Sequence, residues 1–322
     1  MTKKIALITG ISGQDGAYLA KFLIKKKYKV IGLERRSARS NNWRLEKLKI
    51  DKKVIIEDID LKELNNLIRV FSKYKIDEVY NLAAQSFVYS SFQNPIETSL
   101  TNSIGVLNLL EIIRNQKKKI KFYQASTSEM IGNTKSKLQN ENAEFYPRSP
   151  YACAKVFAHY ITKNYREAYG IFACSGILFN HESPIRGEEV VTRKITKQFS
   201  EIKIGKRNIL ELGNLNAKRD WGHAQDYVEA MWKMLQQKKP LDFVIGTGET
   251  HSVKEFCRIA FESVGLNYKK YVQINKKFYR PAEVDLLIAD YSFAKKVLKW
   301  KPTYTFKNLV LEMVQSDLQK FK

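Results

Sequence analysis

The chain has 322 residues, 44% of them apolar and 12% aromatic, which is ample for a buried core and excludes a disordered chain. No apolar run nears the ~20 residues that span a bilayer. Three cysteines, Cys153, Cys174 and Cys257, are too few and too scattered for a disulfide framework or a zinc site, so no metal and a reducing, cytoplasmic setting are expected. The net charge of +23 is spread along the chain. Runs such as Lys25-Lys26-Lys27 and Lys117-Lys118-Lys119 fall where helices should end. That reads first as a solvated lysine-rich surface, second as attraction for anionic small molecules, and last as a nucleic-acid footprint.

Ile5 to Thr9 reads as a first strand; with no small-residue cleavage site after it, it is not expected to be a signal peptide. A glycine turn and an amphipathic helix over about Ala17 to Lys26 follow. Further strands are expected at Tyr28 to Leu33, Val54 to Ile56, Glu78 to Asn81, Ile120 to Ala125 and Phe172 to Phe179, mostly separated by helical patterns. Alternating strands and helices predict a doubly wound parallel sheet covered on both faces. After Asn180 the rhythm changes to polar loops, a helix near Thr192 to Ile204 and short mixed segments. The chain is expected to return to the sheet around Asp226 to Met234. The expected division is a dinucleotide-binding domain of residues 1–179 with 213–246, and a smaller α/β substrate-binding domain of residues 180–212 with 247–322.

Thr9-Gly10-Ile11-Ser12-Gly13-Gln14-Asp15-Gly16 follows the first strand and opens the first helix. Glycines at Gly10, Gly13 and Gly16 allow a tight turn and close approach of a pyrophosphate to a helix N-terminus, the signature of a Rossmann-type α/β fold. Ser12, Gln14 and Asp15 belong to the same candidate site. The end of the second strand carries two signals. Glu34 lies where an acid would hold the ribose 2′-hydroxyl of NAD. Arg35, Arg36 and Ser37 follow at once and suit the 2′-phosphate of NADP, the favoured cofactor. Asp58 and Ile59 are placed at the adenine. Leu82, Ala83, Ala84 and Ser86, after the fourth strand, are small enough to let backbone approach the cofactor, with Ser86 also facing the substrate.

Ser149-Pro150-Tyr151-Ala152-Cys153-Ala154-Lys155 predicts a capped helix start. Tyr151 and Lys155 are then i and i+4 on one face. A lysine beside the phenol, with a nicotinamide cation near, would favour the phenolate and make Tyr151 a general base. Thr127 and Glu129 leave the carboxyl end of the fifth strand, where ligands of open α/β sheets bind. If the chain stays extended, the two point the same way. Glu129 is either a second base or the acid of a following helix terminus.

The glycine turn, the Tyr151/Lys155 pair and the early strands resemble the extended short-chain dehydrogenase/reductase superfamily. Thr9-Gly-Ile-Ser-Gly-Gln-Asp-Gly16, Phe122-Tyr-Gln-Ala-Ser-Thr-Ser-Glu129, Phe179-Asn-His-Glu-Ser-Pro184, Val191-Thr-Arg-Lys-Ile195, Ala217-Lys-Arg-Asp-Trp-Gly222 and Arg280-Pro-Ala-Glu-Val284 resemble the GDP-mannose 4,6-dehydratase family, over essentially the whole chain. The resemblance implies a nucleotide-sugar dehydratase acting through NADP. Tyr151 with Lys155 would take the C4 hydroxyl proton, Thr127 would hydrogen-bond O4, and Glu129 would remove the C5 proton. It implies His181 and Arg186 at the cofactor, and Asn180, Lys194, Arg219, Arg280 and Glu283 at the GDP. It also implies a homodimer or homotetramer. Phe87 stands where the family often has histidine, Glu97 near where it has tyrosine, and Tyr89 is bulky beside the expected sugar. A GDP-manno-heptose is therefore an alternative substrate. The rival activities are a GDP-4-keto-6-deoxymannose reductase, which needs no C5 base, and a non-catalytic cofactor sensor or RNA-binding protein, which needs no Tyr151, Lys155 or Thr127.

Overall fold

Ala6, Leu7 and Ile8 are wholly buried, because strand β1 (Ile5–Thr9) lies inside a parallel sheet that helices cover on both faces. The computed structural model describes residues 3–38, 40–132, 138–279 and 286–321. After the turn come α1 (Gln14–Lys25), β2 (Lys29–Glu34), α2 (Trp43–Lys47), β3 (Ile55–Asp58), α3 (Leu64–Lys73) and β4 (Glu78–Asn81). Then follow α4 (Val88–Gln93), α5 (Pro95–Ser99), α6 (Gly105–Arg114), β5 (Lys121–Thr127), α7 (Pro150–Tyr169), β6 (Ala173–Leu178) and β7 (Asn180–Glu182). The remainder comprises α8 (Val191–Lys203), β8 (Leu210–Leu212), β9 (Lys218–Arg219), β10 (Trp221–His223), α9 (Ala224–Leu235), β11 (Phe243–Ile245), β12 (His251–Ser252) and α10 (Val253–Glu262). It ends with β13 (Val272–Ile274), β14 (Leu286–Leu287), α11 (Ser292–Leu298) and α12 (Phe306–Leu318).

The sheet order is β11-β6-β5-β4-β1-β2-β3, with every neighbouring pair parallel. The chain runs outward from β1 through β2 to β3, then crosses to β4 on the other side. That reversal places a crevice at the carboxyl ends of β1 and β4. The strands expected from sequence are all present; the first and fourth have the expected ends and the other four are shifted. The third runs on to Asp58 and the fifth to Thr127. Helix α1 begins at Gln14, ahead of the apolar period that starts at Ala17, because the glycine turn leads straight into it. Gly10 has φ +67°, and a Cβ there would meet Ala83 N and Cα at 2.9 Å. At Gly16 a Cβ would lie 2.3 Å from the Gly10 carbonyl oxygen. These two positions therefore need glycine for different reasons, conformation and space.

Alternate residues of the strands feed two cores. Ala6, Ile8, Tyr80 and Tyr123 pack under α1, α9 and α11. Leu7, Ile31, Val79 and Phe122 pack under α3, α6 and α7. A third core lies away from the sheet, built from α8, α10, α12 and β8 around Phe199, Phe256, Phe261 and Val310. Among the described residues no helix is long and apolar enough to cross a membrane.

That third core is closed by charge as well as by apolar contact. Arg193 of α8 donates to Asp317 of α12, and both are almost fully buried. Thr196 Oγ1 donates to the same carboxylate at 2.8 Å. A buried ion pair is costly to halve. Asp317→Ala is expected to lower unfolding free energy by about 3–5 kcal/mol, with Arg193→Met/Asp317→Leu recovering most of it. Urea denaturation checks this; a loss below about 1 kcal/mol for Asp317→Ala would show the pair to be solvated rather than buried.

Candidate active site

A cavity of about 1,390 Å³ opens at the carboxyl ends of the central strands. Its walls take in Gly10, Ser12, Gly13, Gln14, Asp15 and Gly16 from the β1–α1 turn, and Leu82, Ala83, Ala84 and Ser86 from beyond β4. Arg35, Ser37 and Ile59 line the outer end. Arg36 and Asp58 are not among the lining residues; Asp58 ends β3 exposed, and the next residue, Ile59, forms the wall. Glu34 also faces the cavity. Burial raises its carboxyl above the ordinary value, against a hydrogen bond with Ser12 and with the Asp58 charge nearby.

The turn is clamped to the segment after β6. His181 Nε2 meets Asp15 Oδ2 at 2.7 Å, and His181 Nδ1 lies 2.8 Å from the Phe179 carbonyl oxygen. Burial disfavours charge on either partner, but their mutual attraction outweighs it. Asp15 is held below the usual carboxylate range and His181 above its ordinary value. The His181 ring stacks on Tyr227 with centroids 4.4 Å apart. Gln14 Nε2 donates to the His181 carbonyl at 3.1 Å, and Ser183 Oγ donates to Gln14 Oε1 at 2.7 Å. The polar ends of Gln14 and Asp15 are thus spent on holding two segments together. Arg186 lies 3.2 Å from Glu182, a fully buried carboxylate that also accepts from Thr192 Oγ1 at 2.7 Å.

Tyr151 and Lys155 sit in the first turns of α7, which Ser149 caps by accepting from Ala152 N at 3.1 Å. Both line the cavity and both are buried. Lys155 Nζ donates to the Ala125 carbonyl at 2.9 Å and lies 5.9 Å from the centroid of the Tyr151 ring. Burial pulls Lys155 down to about 8. Burial also pushes Tyr151 up to about 12, against a hydrogen bond with Thr127, with the Glu129 charge adding to the rise. Burial thus works against the phenolate that Lys155 and a nicotinamide charge are expected to favour.

The geometry at Glu129 also differs from the extended chain that sequence spacing predicts. β5 ends at Thr127, and Ser128–Met130 coils into a 3₁₀ turn. Thr127 Oγ1 accepts from Glu129 N at 3.3 Å. A threonine hydroxyl satisfying the first free amide of a turn is a local competitor to strand continuation. Glu129 is thus a turn-opening acid and also a wall of the cavity, together with Thr127. His159, which no motif singled out, lies one further turn along α7 and meets Ser126 Oγ at 3.1 Å. Its i+4 relation to Lys155 was the available signal. Burial lowers His159, so the ring is neutral.

At the far end the cavity reaches Asn180, Lys194 and Arg219. Asn180 Oδ1 is buried with no hydrogen-bond partner among the described residues. Lys194 Nζ sits 3.6 Å from the centroid of the Phe278 ring. Arg219, buried, donates to the Lys218 carbonyl at 2.8 Å. Arg280 and Glu283 lie outside the described residues. Phe87 and Tyr89 both line the wall, their rings 6.2 Å apart.

Residues 7–313 match the family model described as GDP-mannose 4,6 dehydratase. The chain is 51% identical to GDP-mannose 4,6 dehydratase 1 of Arabidopsis thaliana, covering 99% of this chain and 91% of that one. It is 48% identical to the GDP-mannose 4,6-dehydratase of Vibrio cholerae serotype O1, covering 99% of this chain and 95% of that one. Among solved structures, a UDP-glucose 4-epimerase from Thermotoga maritima superposes with a TM-score of 0.88 at 24% identity, over 99% of this chain and 100% of that one. A dTDP-glucose 4,6-dehydratase from Bacillus anthracis, solved in complex with NAD, gives 0.85 at 22% identity, over 97% of this chain and 96% of that one. These structures share the fold. With a family model spanning nearly the full length and relatives at about half identity, this chain belongs to the GDP-mannose 4,6-dehydratase family.

Proposed function

We propose that the protein converts GDP-mannose to GDP-4-keto-6-deoxymannose, with loss of one water and no net redox change, using bound NADP. The observation that carries the reading is one cavity holding Thr127, Glu129, Tyr151 and Lys155 between a glycine turn and a cationic far end. The turn fits a dinucleotide. Gly13 caps the N-terminus of α1, where a pyrophosphate is stabilised, and Gly10 and Gly16 let the turn pack closely on Ala83 and on itself. The far end fits a nucleoside diphosphate: Lys194 and Arg219 supply charge for the phosphates, and Asn180 Oδ1, without a partner among the described residues, can accept from a sugar or base donor. Arg35 and Ser37 at the outer wall support NADP over NAD.

When bound, the nicotinamide supplies a hydride acceptor for C4 and a hydride donor for C6. The chain's own residues manage the protons. Tyr151 exchanges a proton with O4, and Thr127 orients that oxygen. Lys155, pulled down to about 8 by burial, lies beside the phenol and can hold or release a proton there. The C4 ketone acidifies the C5 proton. Glu129 removes it, and water leaves from C6. A proton then returns to C5, so that only water is lost.

Incubating the protein with GDP-mannose and NADP⁺ should yield, by mass spectrometry, the substrate mass less one water. Glu129→Gln keeps the side-chain shape and removes the base. General-base catalysis is typically worth roughly 10²–10⁴-fold, so kcat should fall by at least about 10² while GDP-mannose binding persists. Dehydration within about threefold of wild type would leave Glu129 with its turn-opening role alone.

Lys155 yields a stability prediction. Its folded value of about 8 lies below the ordinary 10.5 of the unfolded chain. Below pH 8 both states are protonated and the folded state carries the whole burial penalty, about 3 kcal/mol. Between pH 8 and 10.5 the unfolded chain holds a proton that the folded one has released, so wild-type stability rises relative to a variant without the amine. In urea denaturation without nucleotides, Lys155→Met should be more stable than wild type at pH 7, and its advantage should shrink by pH 10. A difference that does not change with pH would contradict a buried, depressed lysine.

A further inference from the structure

Arg35 is the cation that β2 delivers to the cavity wall, and it is already engaged. Its Nη1 lies 3.1 Å from Glu97 Oε1 of α5. The same carboxylate receives Lys62 Nζ at 3.1 and 2.8 Å from its two oxygens. Thr101 Oγ1, one helical turn beyond Glu97, donates to it at 3.2 Å. Arg35, Glu97 and Thr101 all line the cavity, beside Ile59 and Asp60. One carboxylate therefore gathers two cations from separate segments at the outer, ribose end of the site. Asp60 stands 3.6 Å from Lys62 and adds a second negative charge.

The chemistry of that end differs for the two nicotinamide dinucleotides. A 2′-phosphate brings roughly −1.5 to −2 charges and three acceptor oxygens, and it needs the cations that Glu97 holds. A 2′-hydroxyl is neutral and makes no such demand. The Arg35 side chain is 67% exposed and that of Glu97 39%, and ion pairs this open are weak. They can be exchanged for a phosphate, but the displaced carboxylate stays close and repels it.

Resting on the reading that NADP is the cofactor, we infer that Glu97 is a specificity-determining residue: it competes with the adenosine 2′-phosphate for Arg35 and Lys62 and so weakens NADP binding selectively. The cationic pair that recognises the phosphate is then Arg35 with Lys62. Lys62, like Arg36, is not itself among the lining residues, but it reaches the lining carboxylate of Glu97 at 2.8 Å. Lys62, from the loop between β3 and α3, carries no motif and becomes a phosphate ligand once Glu97 releases it.

The test is direct binding. Dissociation constants for NADP⁺ and NAD⁺ are measured by calorimetry on the full chain freed of copurified nucleotide, for wild type, Glu97→Gln and Glu97→Ala, with thermal melts to confirm folding. Removing one like charge from beside the phosphate should tighten NADP⁺ about tenfold and change NAD⁺ less than about twofold, and raising the salt should shrink the gain. Adding Lys62→Met to Glu97→Gln should loosen NADP⁺ several-fold and leave NAD⁺ unaffected. If both Glu97 variants shift the two cofactors equally, or neither, the inference is overturned. A wild type that binds NAD⁺ more tightly would defeat the NADP reading on its own. The role of Glu97 would still be decided by whether its removal moves the NADP⁺ to NAD⁺ ratio.

Discussion

A parallel sheet with helices on both faces leaves one kind of surface free for chemistry, the loops at its carboxyl edge. Everything else about the site follows from that constraint. β1, β4, β5 and β6 all point their ends at the same crevice, so residues as far apart in sequence as Gly10, Ser86, Thr127 and His181 line one cavity. The faces of the strands cannot take part, being filled by the two apolar cores. The sheet supplies position, and the loops supply function.

Depth at this edge has an electrostatic cost, and the chain meets it unevenly. Asp15 is matched by His181, and Glu182 by Arg186, so each carboxylate has a basic side chain beside it. Lys155 donates to a backbone carbonyl with the Asp15 charge nearby, and Tyr151 has a hydrogen bond with Thr127, the repelling Glu129 charge and the attracting Arg186 charge. The matched pairs fix the shape of the cavity. The other pair is the one to which the proposed mechanism gives the proton chemistry, and burial moves its members in opposite directions, Lys155 down to about 8 and Tyr151 up to about 12. A site of this kind separates scaffold charges from working charges by whether an ion-pair partner was provided.

Much of this was readable in the sequence wherever the determinant is local. The glycine spacing predicts the turn, and Ser149-Pro150 predicts the start of α7, because each rests on backbone rules that act within a few residues. Thr127 and Glu129 were located, but their relation was misread: extended spacing assumes the strand continues, and a threonine cap ended it instead. Asp58 and Ile59 show the period-two hazard of strands, where one residue's shift decides which faces the ligand. His159 and Lys62 escaped notice because their partners, Ser126 and Glu97, are over thirty residues away. No motif records such a meeting. The phenol's upward shift was likewise illegible, since spacing reports neighbours and not dryness.

Trp300 is almost fully buried in the same core cluster as Ala6 and Ile8 of the first strand. Its indole Nε1 donates to the Asp226 carbonyl at 2.8 Å, and the Asp226 carboxylate takes Thr303 and Tyr304 amides at 2.8 and 3.1 Å. One face of the sheet is thus completed by a residue far along the chain from the strand it covers. A nascent chain can form β1 and α1 early, but the full cover of that face waits for α9, α11 and Trp300.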